Sequence, residues 1–170
     1  MGILRGRHDP AGARYRMREK LFAIGDDYWI EDEEGRRAYK VDGKALRARD
    51  TFLLKDASGD DLLKAQAKVL HIRDTMKIEH DGDTVATIKK ALISPLRHRF
   101  DVEVEHGDDM HVKGNIVDHE YEIERDGDKV AEVSKRWFRV RDTYGIEIAP
   151  GEDAPMILAI AVCIDRMTHD

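Results

Sequence analysis

The chain has 170 residues, with 29 lysines and arginines against 35 aspartates and glutamates, for a formal charge of −6. This length fits a single domain with a substantial hydrophobic core. One cysteine excludes an internal disulfide, residues 1–20 hold no apolar signal sequence, and no apolar run reaches the ~20 residues of a membrane span. These features predict a cytoplasmic protein without a transmembrane span.

Positive charge is concentrated at the N-terminus. Residues 1–20 contain six basic and two acidic side chains, a net of +4, so the rest of the chain carries −10. We expect residues 1–15 to form a flexible basic arm and residues 16–170 to form one domain. The arm is either a solubilising leader or a contact for phosphate or anionic lipid.

Acidic turns with a central glycine recur at intervals of 20 to 25 residues through the middle of the chain. Their glycines are Gly35, Gly59, Gly82, Gly107 and Gly127. Asp-Gly between alternating segments is a strong signal for a β-hairpin, because type I′ turns need positive φ at both central residues. The triplet Arg-Asp-Thr, at residues 49–51, 73–75 and 141–143, leads each time into an apolar segment. The spacing therefore predicts a repeated hairpin.

The segments between these turns alternate apolar and polar residues, as in residues 100–104 and 120–124. This period of two indicates an antiparallel sheet with one buried face. About twelve such segments lie between Leu21 and Ile148. Closure of so large a sheet removes its exposed edges, so the sequence predicts a mainly β fold, a closed antiparallel barrel.

The C-terminal segment breaks the alternation. Residues 156–164 are continuously apolar, Asp153 can cap a helix start, and Pro155 is tolerated in a first turn. A helix that is apolar all round must be buried all round, and a barrel of about twelve strands is too wide for its own side chains to fill. We therefore expect a central helix over residues 153–167. Its predicted core residues are Met156, Ile157, Leu158, Ile160, Val162 and Ile164.

These features together resemble the LURP-one-related family, small proteins of the tubby C-terminal-like superfamily that are also similar to phospholipid scramblases. The resemblance covers residues 16–170 and is carried most specifically by the ending Leu-Ala-Ile-Ala-Val-Cys-Ile-Asp-Arg-Met at 158–167, with further segments at 16–22, 70–75 and 138–146. It implies a twelve-stranded barrel around a buried helix. It implies little about activity: tubby domains bind phosphoinositides and scramblases act at membranes, but no lipid-binding residue carries over onto this sequence.

Motifs for catalysis and metal binding are absent or weak. Cys163 lies in the apolar helix, where burial makes a thiol inert. His106, Asp108, Asp109 and His111 cluster around one turn, which is more typical of a solvated hairpin loop than of a zinc site. We therefore predict no catalytic residue, no metal site, no cofactor and no enzymatic activity.

The enzymatic alternative rests on a carboxylate ladder, Glu120, Glu122 and Glu124. Triphosphate-tunnel enzymes line a β-barrel with Glu-x-Glu-x-Lys, whereas the third position here is a glutamate. Tyr121 and Ile123 have to face the helix, so the glutamates are expected to face solvent. A phosphate-ester enzyme of the tunnel type is the alternative function.

Cations at strand ends form the candidate binding site. Lys90 and Lys135 occupy matching places in two repeats, with Lys89 and Arg136 beside them. If these strand ends share a rim, the four side chains form an anion site for phospholipid or phosphoinositide headgroups. Ordinary strand-end cations that pair with carboxylates are the alternative interpretation.

The predicted function is a non-enzymatic binding or scaffold domain. Its partner is an anionic phospholipid headgroup at a membrane surface, or a protein. Nucleic acid is disfavoured, because the body of the chain is acidic and would repel phosphate backbones.

Overall fold

The computed structural model describes residues 12–18, 27–43, 51–67, 75–94, 97–138 and 142–169. Within these residues twelve strands pair antiparallel in chain order, and the first strand pairs with the last, so the sheet is a closed barrel. The strands are β1 Ala13–Arg18, β2 Asp27–Asp32, β3 Arg37–Asp42, β4 Thr51–Asp56, β5 Asp61–Ala67, β6 Thr75–His80, β7 Asp83–Ser94, β8 Arg97–Val104, β9 Met110–Asn115, β10 Glu120–Arg125, β11 Asp128–Ser134 and β12 Thr143–Ile148. A 3₁₀ helix, Lys135–Trp137, follows β11, and the α-helix α1, Ala154–His169, follows β12. The predicted fold class is confirmed.

The barrel has two ends that differ in their connections. One end, which we call the turn end, carries five short hairpin turns and the segment that leads from β12 into α1. These segments are residues 33–36, 57–60, 81–82, 105–109, 126–127 and 149–153. The opposite end, which we call the exit end, is where the odd-numbered strands and α1 finish.

The Asp-Gly turns have the backbone conformation that their sequence predicts. Asp81 and Gly82 have φ values of 49° and 88°, and Asp126 and Gly127 have 51° and 83°. Positive φ at both central residues gives a turn whose twist matches that of the flanking strands. The prediction of Asp-Gly hairpins is therefore confirmed at these two turns.

A register shift recurs in the same part of four hairpins. It follows Ile30, Leu54, Ile78 and Ile123 in β2, β4, β6 and β10. A β-bulge of this kind bends the strand and increases its twist. The sequence repeat therefore supplies the curvature that closure of the sheet requires.

The Arg-Asp-Thr triplets mark strand starts at the exit end. Thr51, Thr75 and Thr143 are the first residues of β4, β6 and β12. This position confirms the prediction that each triplet leads into an apolar strand.

Helix α1 fills the barrel interior. It begins at Ala154, where Asp153 Oδ1 accepts a hydrogen bond from the Met156 amide at 3.2 Å, and it ends at His169, two residues beyond the predicted end. The six predicted core residues are all buried, as are the two alanines between them, Ala159 and Ala161. No helix among the described residues is long and apolar enough to cross a membrane.

The barrel begins earlier than the sequence indicates. Strand β1 starts at Ala13, so residues 13–15 belong to the sheet and not to the predicted arm. Arg14 shows why, since its guanidinium donates to Glu147 on β12 at 2.6 Å and fixes the seam between the first and last strands. Residues 1–11 of the predicted arm lie outside the described residues.

Replacement of Ile160 by aspartate should abolish the native fold. Ile160 is fully buried on α1, and an unpaired charge there costs several kcal/mol against a total stability of about 5–15 kcal/mol. We expect an insoluble or molten product. The matched control is Val117→Asp, because Val117 is 50% exposed and should leave the urea midpoint almost unchanged. A soluble Ile160→Asp protein with the parent's midpoint would contradict the interior position of α1.

The Cys163 thiol should report the opening of the barrel. Burial raises the pKa of this thiol, because the thiolate would lose its hydration, and Asp165 raises it further while Arg166 opposes the shift. We expect no reaction with a thiol-specific reagent in native buffer and full reaction in urea. Stoichiometric labelling of the native protein within minutes would be evidence against this packing.

Candidate functional site

The turn end is strongly acidic. Its six connecting segments hold ten carboxylates and one guanidinium, that of Arg36, for a net charge of −9. The acidic residues are Glu33, Glu34, Asp60, Asp81, Glu105, Asp108, Asp109, Asp126, Glu152 and Asp153. An anionic surface is therefore repelled from this end.

Lys89 and Lys90 lie near the exit end of β7 and have different surroundings. The Lys89 side chain is half-exposed and its Nζ donates to Glu103 Oε1 at 2.7 Å. Lys90 points towards α1, where its Nζ donates to the carbonyl of Met167 at 3.1 Å. A cation at this position stabilises the negative end of the helix dipole, so Lys90 is a structural residue.

Lys135 and Arg136 lie on the 3₁₀ helix that follows β11. We call this helix, together with Phe138, the strap. The strap is held by Glu120, whose Oε1 accepts from both Ser134 Oγ and the Lys135 amide at 3.0 Å. Arg136 is 74% exposed and its guanidinium is 3.7 Å from Glu120 and from Glu132.

The aromatic part of the strap packs on β12. A Cβ at Gly145 would lie 2.9 Å from ring carbons of both Trp137 and Phe138, so only glycine admits this contact. On the other side the guanidinium of Arg14 lies 4.7 Å from the Trp137 ring centroid. The strap is therefore held on both sides.

The four predicted anion-site residues share one end of the barrel but form two separate groups. Strands β7 and β11 are four places apart in the barrel order. With about 4.8 Å between neighbouring strands, the Lys89–Lys90 pair and the Lys135–Arg136 pair are ~19 Å apart along the sheet. One headgroup cannot span both groups.

A belt of large side chains surrounds the last turns of α1 at the exit end. Each is the second residue of an even-numbered strand and each is buried. The members are Tyr28, Phe52, Met76, Tyr121 and Tyr144. The hairpin repeat thus brings equivalent positions into one layer, which we call the belt.

A charged residue of α1 lies inside the belt. Asp165 is 2% exposed, and its two carboxylate oxygens accept from His119 Nε2 at 2.9 Å and from the Tyr144 hydroxyl. The His119 and Tyr144 rings stack with their centroids 4.3 Å apart. These contacts join α1 to β12 and to the turn 116–119 that connects β9 and β10.

The tyrosines of the belt are held in their protonated form. Burial, and next the negative charge of Asp165, raises the pKa of Tyr28, of Tyr121 and of Tyr144. At neutral pH these hydroxyls are therefore hydrogen-bond donors.

Neither the belt nor the His119–Asp165 contact is predicted by the sequence pattern. A signal existed for part of it, because Phe52, Met76 and Tyr144 each follow the threonine of an Arg-Asp-Thr triplet. An aspartate directly after a long apolar run was also visible at position 165. Its partner was not, since 46 residues separate Asp165 from His119.

The glutamate ladder lies on the outer face of the barrel, as predicted. Tyr121 and Ile123 are buried, whereas the side chains of Glu120, Glu122 and Glu124 keep 35%, 45% and 19% of their exposure. The interior that a tunnel enzyme needs for its substrate is occupied by α1. A triphosphate-tunnel enzyme would therefore have no open interior for its substrate.

The histidines and aspartates that cluster near β9 in the sequence make separate structural contacts. His111 Nδ1 is 2.7 Å from Asp101 Oδ1, and Asp109 Oδ1 accepts from the Val104 amide at 3.0 Å. In the part of the chain that the structure describes, no three histidine, cysteine or acidic residues converge as metal ligands would.

Removal of His119 should destabilise the barrel strongly. His119→Ala leaves the Asp165 charge buried without its imidazole partner, which costs about 3–5 kcal/mol when a buried pair is broken. The expected result is a fall in the free energy of unfolding, measured with urea. Asp165→Asn in the same protein should restore part of the loss. Equal stability of the parent and His119→Ala would rule out this role.

Known proteins resemble this chain over most of its length. It is 26% identical over 155 residues to the uncharacterized protein YxjI of Bacillus subtilis (strain 168), a match that covers 91% of this chain and 93% of YxjI. An X-ray structure of a protein from Arabidopsis thaliana superposes with a TM-score of 0.70 at 18% identity, over 92% of this chain and 91% of that one. The second likeness supports the fold alone.

The family assignment follows from a match that spans almost the whole barrel. The LURP-one-related family model matches residues 13–165, from the first residue of β1 to the aspartate inside the belt. The chain therefore belongs to the LURP-one-related family.

Proposed function

We propose that the protein is a non-enzymatic binding domain that docks its exit end on anionic phospholipid headgroups at a membrane surface. The observation that carries this proposal is the concentration of negative charge at the turn end, away from the exposed cations of the exit end. The turn end has a net charge of −9, whereas the exposed candidate cations Lys89 and Arg136 lie at the exit end. In this proposal the protein works in the cytoplasm, peripheral to the membrane.

The charge separation orients the barrel before contact. The turn end is repelled by an anionic bilayer, so the exit end approaches first. The orienting force extends over about one Debye length, ~10 Å at 0.1 M salt and ~3 Å at 1 M. Binding is then weak and strongly salt-dependent.

The exposed cations are free to exchange partners. Arg136 is 74% exposed, and its two carboxylates at 3.7 Å form solvent-screened ion pairs. Exposed pairs of this kind contribute roughly 0–1 kcal/mol, and each cation near an anionic membrane gains about 1 kcal/mol. Exchange of a glutamate for a lipid phosphate is therefore favourable or neutral.

The proposal agrees with the superfamily that the sequence resembles. Tubby domains are barrels that bind phosphoinositides, and scramblases act at membranes. Family membership itself assigns no ligand to this chain, so the support comes from the charge distribution. Lys90 takes no direct part, because its ammonium is used at the end of α1.

Charge reversal at the exit end should weaken vesicle binding. Arg136→Glu removes one attraction and adds one repulsion, each of about 1 kcal/mol, which lowers the affinity for vesicles of phosphatidylcholine with phosphatidylserine about thirtyfold. Arg36→Glu is the matched control, because Arg36 is 73% exposed but lies at the turn end. It should bind as the parent does. Co-sedimentation at low and high salt measures both variants.

Two further controls complete this experiment. Neutral phosphatidylcholine vesicles should bind none of the proteins. Deletion of residues 1–11, which leaves β1 intact, should weaken binding only slightly. No detectable binding of the parent at low salt, or equal binding of Arg136→Glu and Arg36→Glu, would overturn the proposed function.

A further inference from the structure

The turn between β9 and β10 differs in composition from the turns at the opposite end of the barrel. It consists of residues 116–119, Ile-Val-Asp-His, and it lies at the exit end. Tight turns favour glycine, proline, asparagine, aspartate and serine, as the segments of the turn end do. Val117 is nevertheless 50% exposed in this turn, and no other large apolar side chain among the described residues is exposed. Turn chemistry therefore does not explain Val117.

The shape of this turn is fixed from the inside of the barrel. Ile116 and His119 are buried, and the Ile116 carbonyl accepts a hydrogen bond from the His119 amide at 3.2 Å. His119 has a φ of 53°, a conformation that costs energy for a residue other than glycine, and its imidazole is bound inside the belt. Asp118 Oδ2 accepts from Asn115 Nδ2 at 2.7 Å. Val117 is therefore presented on a preorganised turn, so a contact through it costs little conformational entropy.

The turn adjoins the exposed cation of the strap. Glu120 follows the turn directly, and its Oε1 accepts from the Lys135 amide at 3.0 Å. The Oε2 atom of the same side chain lies 3.7 Å from Arg136 Nε. Val117 and Arg136 thus lie on neighbouring segments of the exit end, one apolar and one cationic. This pairing suits an anionic bilayer, since interfacial binding combines buried apolar area with attraction to charged headgroups.

We propose that the exit end inserts the side chain of Val117 below the headgroups of an anionic bilayer. This inference rests on the proposed function and deepens it, because it adds an apolar contact to the electrostatic one. Arg136 attracts a headgroup phosphate, and Val117 leaves water for the boundary of the acyl chains. The exposed carboxylate of Asp118 opposes the approach, so the binding stays weak.

A fluorophore at position 117 of the full chain tests the insertion. Val117→Cys accepts a label at one site, because Cys163 is buried and does not react in the native protein. The variant labelled with NBD should emit at shorter wavelength on vesicles of phosphatidylcholine with phosphatidylserine. Nitroxides on the acyl chains should quench this emission. Ser58→Cys is the matched control, because Ser58 is exposed at the turn end and should show neither change.

Substitutions that preserve charge measure the apolar contribution to the affinity. Val117→Asn should bind the same vesicles about fivefold more weakly, and Val117→Leu about fourfold more tightly, because it adds one methylene. Both variants should keep the parent's urea midpoint, since position 117 is half-exposed. Ala57→Leu is the matched control, because Ala57 is exposed at the turn end and its replacement should leave vesicle binding unchanged.

The outcomes separate insertion from electrostatic docking. Quenching at position 117 alone, with the expected order of affinities, supports the insertion. Vesicle binding without quenching at position 117, or equal affinities of Val117→Asn and Val117→Leu, overturns the insertion and leaves the proposed membrane function intact. Equal quenching at positions 58 and 117 overturns both, because the barrel then has no preferred end. No vesicle binding by the parent at low salt overturns the proposed membrane function and the insertion with it.

Discussion

The structure depends on one constraint, an apolar helix that has to be kept from water on every side. A single sheet face covers a helix on one side only, so the sheet has to close around it. Conversely, a closed sheet of twelve strands has an interior that its own side chains cannot fill. The barrel shields the helix from water, and the helix fills the barrel interior. The recurrent bulges provide the curvature that lets the sheet close.

Local chemistry made most of this architecture predictable from sequence. Asp-Gly pairs require positive φ, alternation identifies a half-buried strand, and the run at 156–164 can only be interior. The sequence does not predict the belt, because its members become neighbours only when the barrel closes. His119 and Asp165 are 46 residues apart in the sequence, and no short sequence pattern predicts a contact between such distant residues. The start of β1 was misplaced for a related reason: Arg14 looks like part of a basic arm until Glu147 is placed opposite.

The same topology that builds the fold also sorts the charges. The hairpin repeat brings five glycine-centred turns to one end, so the carboxylates that favour turn geometry accumulate there. Of the described residues, those at the opposite end include the strap, the turn 116–119 and the end of α1. Residues that stabilise the turns therefore also make one end of the barrel strongly negative.

The order of elements along the chain has a consequence for biosynthesis. All twelve strands leave the ribosome before the helix that fills them. Until that last segment emerges, the nascent strands present apolar faces and open edges to the crowded cell. We therefore expect the nascent chain to depend on chaperones that bind hydrophobic segments. A translational pause before residue 154 should promote aggregation.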